Sequence, residues 1–252
     1  MNRLLLLLLL LAGFVAGMAL FAPLGTFLRM SGAGAHSIGW ENAEGTVLNG
    51  RIQGLKVEGQ PYGDAALKLK ASALLSGRLR YAVDWTSAHG SGTGEVSAGS
   101  NGKMAIENFN IDLDLLQLEQ AALWIRQSGG RVQLQGETIR FNADQCVQAE
   151  GKAQSDVLER NREILGSGWS DMRGDLRCEN GDLVIPLASE NGTGTRFLAQ
   201  LRIAPGKPGR FEAQVSGIIS RELEFALPVA GFTRDGRSYV YSHSTSVRSG
   251  PT

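Results

Sequence analysis

The carboxylates Asp112 and Asp114 are the closest acidic pair in a predicted strand and the first candidates for chemistry. Two carboxylates at this spacing could divide acid–base work or hold a cation. Residues i and i+2 of a strand point to the same face, however, and that face is usually solvated. We therefore interpret both as ordinary residues of a polar strand face.

The other candidate groups are scattered. The three histidines, His36, His89 and His243, lie in predicted loops, and none has the spacing of a zinc ligand. The glycine-rich stretch 90–94 lacks the Lys-Ser/Thr ending of a phosphate loop and opens no helix. The triplet 191–193, Asn-Gly-Thr, fits a glycosylation acceptor, but Asn-Gly is better explained as a turn. No nucleophile, base and orienting group come together, so we predict a protein that is not an enzyme, with no catalytic residues, cofactor or metal.

The elements that carry these residues are predicted to be mainly β-strands. Apolar and polar residues alternate with period two, most clearly in 79–85, as in half-buried antiparallel strands. Asn180-Gly181 predicts a tight hairpin, and a second hairpin joins 197–203 to 211–215. A shift of the apolar face between Ile106 and Phe109 predicts a bulge near Asn108.

A few short helices complete this prediction. The segments 116–127, 155–165 and 220–231 have helical spacing or helix-capping residues. Strands and helices do not alternate as they do in parallel sheets. The predicted fold class is therefore mainly β, an antiparallel β-rich domain with a few short helices.

The N-terminal segment 4–28 opens with eight leucines and carries no charge between Arg3 and Arg29. About 20 apolar residues cross a bilayer, so we predict a single transmembrane helix with residues 1–3 as a cytoplasmic tip. The small residues 31–35 leave open a cleaved signal peptide. On either reading the rest of the chain crosses a membrane. We predict a linker at 29–44, a β-rich domain at 45–240 and a flexible tail at 241–252.

Export determines how the two cysteines, Cys146 and Cys178, are interpreted. In an exported chain an even pair favours a disulfide over a metal site or a nucleophile. Both cysteines lie in predicted strands separated by one connecting segment. The alternative is two buried free thiols, because Cys also packs as a small hydrophobe.

Charge argues against one class of partner. The chain has 25 basic and 25 acidic residues and no net charge. Nucleic-acid binding depends on a basic surface, so we predict no nucleic-acid partner. The balance also gives no support to a polybasic contact with lipid headgroups.

The whole layout resembles the type II secretion system protein N family of Gram-negative bacteria. The segment 44–50, Glu-Gly-Thr-Val-Leu-Asn-Gly, looks like the family's Ser-Gly-Thr-Leu-Trp-Xaa-Gly turn, with Leu48 in the place of Trp. The segment 74–79 resembles its Leu-Leu-x-Gly-x-Leu step, and the positions of Cys146 and Cys178 in the later half are similar too.

The resemblance implies a single-pass inner-membrane protein with most of its chain in the periplasm. Such a protein would be a non-enzymatic component that supports export of folded proteins across the outer membrane. Its partners would be other type II secretion system subunits, engaged through strand edges or the apolar helix. The fold also looks like AsmA-like envelope proteins, which implies an alternative: a periplasmic lipid-binding or lipid-bridging module. An exposed apolar groove would favour that alternative, and a buried apolar face would favour the secretion component.

Overall fold

A computed structural model of the chain describes residues 17, 21–30, 38–57, 59–74, 78–99, 102–117, 129–204 and 207–244. The chain divides into two compact units, Met1–Ser87 and Ala88–Thr252. The strand pairs described within each unit are antiparallel, and the helices are short. The fold class predicted from the alternating pattern is therefore confirmed as mainly antiparallel β.

The first unit contains five described strands, β1 to β5, and β3 is the central one. Strand β3 pairs with β4 on one edge, and β4 pairs in turn with β5. Strands β1 and β2 share the other edge of β3, each pairing with a different part of it. Two helices, α1 and α2, accompany them. The bounds are β1 Ile38–Gly39, β2 Asn42–Gly45, β3 Asn49–Val57, β4 Gln60–Leu69, β5 Leu79–Ser87, α1 Leu24–Met30 and α2 Ala71–Leu74.

The predicted transmembrane helix at 4–28 falls mostly on residues 4–16 and 18–20, which lie outside the described residues. Its described end is not one continuous helix. Pro23 forms a bridge with Thr46, and α1 begins as a separate element at Leu24. Across the described ranges we find no helix that is both long and apolar enough to cross a membrane.

Two described strands lie at the boundary predicted between the linker, 29–44, and the β-rich domain, 45–240. Strands β1 and β2 lie within 38–45, so the sheet begins before residue 45. This stretch lacks an alternating apolar pattern because its strands are held by backbone pairing with β3 at the edge of the sheet. Side-chain periodicity therefore did not reveal it.

The second unit is a longer sheet whose strands lie mostly in sequence order. Strand β6 pairs with β7, and the order continues β8, β9, β10, β12, β13, β14, β16, β15; the short β11 pairs with β12 beside β10. The bounds are β6 Gly90–Ala98, β7 Lys103–Asp114, β8 Arg131–Asn142, β9 Gln145–Ser155, β10 Met172–Asp175, β11 Arg177–Glu179, β12 Asp182–Glu190, β13 Thr195–Ile203, β14 Arg210–Gly217, β15 Thr233–Asp235 and β16 Ser238–Ser244.

One face of this sheet, which we call the core face, carries two clusters of buried apolar side chains. The first lies around Phe109, Ile139 and Ile185. The second lies around Phe197 and Val215, where Trp169 and Phe232 stack edge-on against Phe197. Three helices accompany the sheet: α3 Val157–Arg160, α4 Arg162–Leu165 and α5 Arg221–Val229. Leu158 of α3 and both buried leucines of α5, Leu223 and Leu227, belong to the second cluster.

The local predictions in this unit are largely confirmed. The strand pairing shifts register beside Asn108, whose φ of 51° marks the predicted bulge. Asn180 and Gly181 have φ of 53° and 85° and form the hairpin turn between β11 and β12, as a type I′ turn requires. The hairpin of β13 and β14 is also present.

The helix predictions have mixed outcomes. Helix α5 is present, and the hydroxyl of Ser220 caps it by accepting from the Leu223 N–H. The helix expected at 155–165 is two single turns, α3 and α4, separated by Asn161. Of the helix expected at 116–127, the structure shows a 3₁₀ turn at Leu115–Gln117, and residues 118–128 lie outside the described residues.

The segment predicted as a flexible tail, 241–252, begins inside strand β16. Strand β16 continues to Ser244 and pairs with β14 as far as Arg210, so residues 241–244 belong to the sheet. Tyr241 packs against the second core cluster, and the three polar residues that follow it gave no apolar pattern from which the strand could be predicted. Residues 245–252 lie outside the described residues.

Candidate functional site

The disulfide predicted from Cys146 and Cys178 is present and joins β9 to β11. The two Cα atoms are 5.4 Å apart, within the range that a disulfide requires. The Cys146 N–H also donates to the carbonyl oxygen of Gly181 at 2.7 Å. The turn of the β11–β12 hairpin is thereby fastened to β9 by one covalent bond and one hydrogen bond.

The two aspartates considered for acid–base work have structural partners. Asp112 accepts from Gln133 Nε2 at 3.1 Å, across the pair of strands β7 and β8. Asp114 accepts from the Leu116 N–H at 3.0 Å at the end of β7. Both therefore hold the end of a strand in place.

The other sequence candidates are also accounted for where they are described. Asn191 is 9% exposed, and its Oδ1 accepts from the N–H groups of Thr193 and Thr195 and from the Thr193 hydroxyl, so the Asn-Gly-Thr triplet is a turn. Gly90–Gly94 is part of strand β6. His89 precedes that strand, His243 lies in β16, and His36 is outside the described residues. Within the described ranges, no group of three or more His, Cys, Asp or Glu could hold a metal.

The opposite face of the second unit's sheet, which we call the polar face, carries a ladder of charged and amide side chains. Gln148 links Arg140 to Glu150 along this face, and Gln154 donates to Asp171. Such a ladder suits a surface that faces water. An apolar interruption of this ladder therefore differs from the polar surface around it.

That interruption is a depression of about 450 Å³ on strands β11 to β16, which we call the polar-face depression. The strand register places Pro186, Ala188 and Leu198 next to one another on the polar face, and Val240 belongs to the same lining. The polar members of the lining are Arg177, Gln200, Glu212, Gln214, Thr233 and Ser242. Leu198 is 37% exposed and lies in the middle of strand β13.

A charged cluster borders this depression. Glu179 accepts from Arg177 and from Arg202, the latter at 2.9 Å. These hydrogen bonds, that from Arg177 foremost, lower the pKa of Glu179 below its ordinary value. Val184 lies between Arg177 and Arg202 in the register and is fully buried, so the two arginine side chains cover it.

The lining of the depression suits contact with a partner rather than catalysis. An apolar group of a partner could fill the space over Leu198 and Pro186, while Gln214 and Ser242 supply hydrogen bonds at its margin. Glu212 is already held by Gln200 Nε2 at 2.6 Å, which fixes its position. An apolar centre with a polar margin is the usual anatomy of a protein–protein contact.

Sequence reasoning missed the depression, although a signal was present. The run 183–188, Leu-Val-Ile-Pro-Leu-Ala, is apolar at both alternating sets of positions. A strand with only one apolar face would have polar residues at 184, 186 and 188. A continuous apolar run therefore indicates that the second face is covered as well.

Comparison with known families gives one match. The family model described as "Type II secretion system (T2SS), protein N" matches residues 36–240. That range begins near β1 and ends inside β16, so it includes strands of both units. No curated protein matched the chain, and no solved structure matched it.

Proposed function

Because the chain belongs to the type II secretion system protein N family, we propose that it is a non-enzymatic inner-membrane component of that system. In this role it supports the export of folded proteins from the periplasm across the outer membrane. The observation that carries the proposal is the family match over residues 36–240, which spans most of the chain. The structural partners of Asp112 and Asp114 are consistent with a protein that acts by binding.

The proposed location follows from the sequence of the N-terminal segment. Residues 4–28 form an uncharged apolar run, and we place the part of it that precedes Phe21, residues 4–20, in the hydrocarbon of the bilayer. Arg3 on its short side favours a cytoplasmic N-terminus. In this arrangement the strands of both units lie in the periplasm, where the disulfide of Cys146 and Cys178 can form and persist.

The proposed partners are other subunits of the secretion system, and the polar-face depression is the surface that we assign to one of them. Its size, about 450 Å³, accommodates one or two apolar side chains of a partner protein. Hot spots of protein contacts are commonly such small pockets surrounded by polar residues.

The lipid-handling alternative requires a large exposed apolar groove. On the core face of the second unit, Ala153 and Val215 are each 1% exposed, and both clusters are packed. The closed packing of this face favours the secretion component over the lipid module.

A secretion assay in the source bacterium tests the proposal. The gene is deleted, and exported folded proteins are quantified in medium and periplasm, with a complemented strain as control. Accumulation of those proteins in the periplasm supports the proposed function. Normal export with altered outer-membrane permeability would instead support the lipid module, and normal export with an intact envelope would contradict both.

A further inference from the structure

Helix α1 is tied to the sheet of the first unit. The Val47 N–H donates to the carbonyl oxygen of Ala22 at 3.1 Å, and Pro23 bridges Thr46. Leu24 is 3% exposed and lies so close to Gly50 that a β-carbon there would meet its Cδ2 at 2.6 Å. The residues at 22–24 are therefore part of the folded unit and not a free tether.

The surface of α1 has three sides with different properties. Leu24 faces the protein, and Leu28 beside it is half-buried. Thr26 and Arg29 form an exposed polar side, as expected from helical spacing. The third side is apolar and exposed, and with the preceding turn it comprises Phe21, Phe27 and Met30, at 69%, 42% and 83% exposure. We call these three residues the exposed apolar side of α1.

The chain next to this side indicates what covers it. Residues 4–20 immediately precede Phe21 and contain no charged residue, and the first charge after Arg3 is Arg29. That composition matches the hydrocarbon of a bilayer. The exposed apolar side thus begins where the bilayer-like sequence ends, and Arg29 is placed to reach the headgroups with its long side chain.

From this continuity we propose that the exposed apolar side of α1 lies in the lipid headgroup and upper acyl region of the membrane. The proposal rests on the inner-membrane location given above. A helix with one side in lipid and another packed on β2 and β3 fixes how the first unit stands on the membrane. The β2–β3 hairpin is then held at the membrane surface, because its contacts with Ala22 and Leu24 attach it to α1.

Fluorescence quenching in vesicles tests the proposal. Both native cysteines are in the disulfide, so Phe27→Cys gives the full chain a single free thiol for an environment-sensitive label. The labelled protein is reconstituted in vesicles of phosphatidylethanolamine and phosphatidylglycerol containing a lipid with a nitroxide in its upper acyl chain. Thr26→Cys, one position away on the polar side of α1, is the matched control. Tyr62→Cys is a second, at a 43% exposed position of β4 near the end of β3 that is opposite the β2–β3 hairpin.

We expect the nitroxide lipid to quench the label at position 27 at least about threefold more strongly than the label at 62, with iodide in water showing the reverse order. The label at 26 should fall between the two. Equal access of iodide to positions 27 and 62, or shielding of position 27 without quenching by the lipid, would overturn the proposal. The second of these results would mean that protein covers the helix.

A carbonate wash of native membranes separates this failure from a failure of the proposed location. If the chain stays in the membrane and position 27 is open to water, the lipid contact of α1 is refuted and the inner-membrane location stands. If the wash releases the intact chain, both are refuted.

Discussion

The ring of Phe109 on β7 lies against Gly136 on β8, where the ring tip occupies the space that a β-carbon would need. Gly151 on the next strand is in the same position, with its ideal β-carbon 3.0 Å from Phe109 Cζ. Phe109 is 3% exposed and belongs to the first core cluster. An aromatic ring laid over two facing glycines thus fills the core at the point where two neighbouring bulges bend the sheet.

We predict that Gly136→Ala destabilises the protein by about 1 to 3 kcal/mol, since the added methyl group overpacks the core. Urea unfolding of the detergent-solubilised chain, followed by tryptophan fluorescence, measures the change. Gly192→Ala is the matched control, because nothing lies within 4 Å of its ideal β-carbon. In a Phe109→Leu background, Gly136→Ala should lower the free energy of unfolding by a smaller amount. Strict additivity of the two changes would contradict the contact between Phe109 and Gly136.

The disulfide makes a prediction about paired variants. Cys146→Ser and Cys178→Ser should each lower the free energy of unfolding by about 2 to 4 kcal/mol, since either removes a bridge that closes a loop of 32 residues. The double variant should be about as stable as either single one. Thiol titration of the oxidised protein provides the direct check, and two reactive thiols under denaturing conditions would contradict the bridge.

The hydrogen bonds that Glu179 accepts predict a pH dependence. Its folded pKa is below the unfolded one, so its contribution to stability is complete above the unfolded pKa and is lost as pH falls through the folded value. Glu179→Gln should therefore lower the urea midpoint near neutral pH, and the difference from the parent should shrink in acid. Glu159→Gln serves as a control, because Glu159 is a partly exposed helical glutamate whose Oε1 lies 3.9 Å from Nη2 of Arg162, and such a long surface ion pair contributes little to stability. A difference that grows in acid would contradict this account.

The polar-face depression predicts a variant with normal stability and impaired export. Leu198→Gln places an amide in the depression at an exposed position, so the free energy of unfolding measured in urea should change by no more than about 0.5 kcal/mol. Export and crosslinking to a neighbouring subunit should fall severalfold, because the apolar contact is lost. Val147→Gln, which changes a 57% exposed residue of β9 outside the depression, should leave both unchanged. Equal export by the two variants would exclude the depression as the contact surface.

The features predicted correctly from sequence depend on local rules. Asn180-Gly181 defines a tight turn because both residues tolerate positive φ. The shift between Ile106 and Phe109 marks a bulge because one extra residue changes the face of every later side chain. Each of these signals lies within a few residues, so the sequence alone contains it.

The features that were missed depend on residues distant in sequence or on backbone pairing. Leu198, Pro186 and Val240 come from three strands, and their proximity follows from the strand order rather than from any local pattern. The packing of Leu24 over Gly50 likewise joins a helix to a strand that the apolar run 4–28 gave no reason to connect. Position 24 looked like part of a bilayer-spanning segment because leucine suits lipid and protein interiors equally well.

The nearly sequential strand order of the second unit has a consequence for how the chain reaches its folded state. From β6 to β9, and again from β12 to β14, each strand pairs with the one synthesised just before it. In the proposed arrangement, the part of the chain that follows the N-terminal anchor leaves a membrane channel in sequence order, so it can add one hairpin at a time without waiting for its distant end. Each newly closed hairpin opposes return of the chain through the channel, so stepwise folding of this sheet would favour outward movement of the chain.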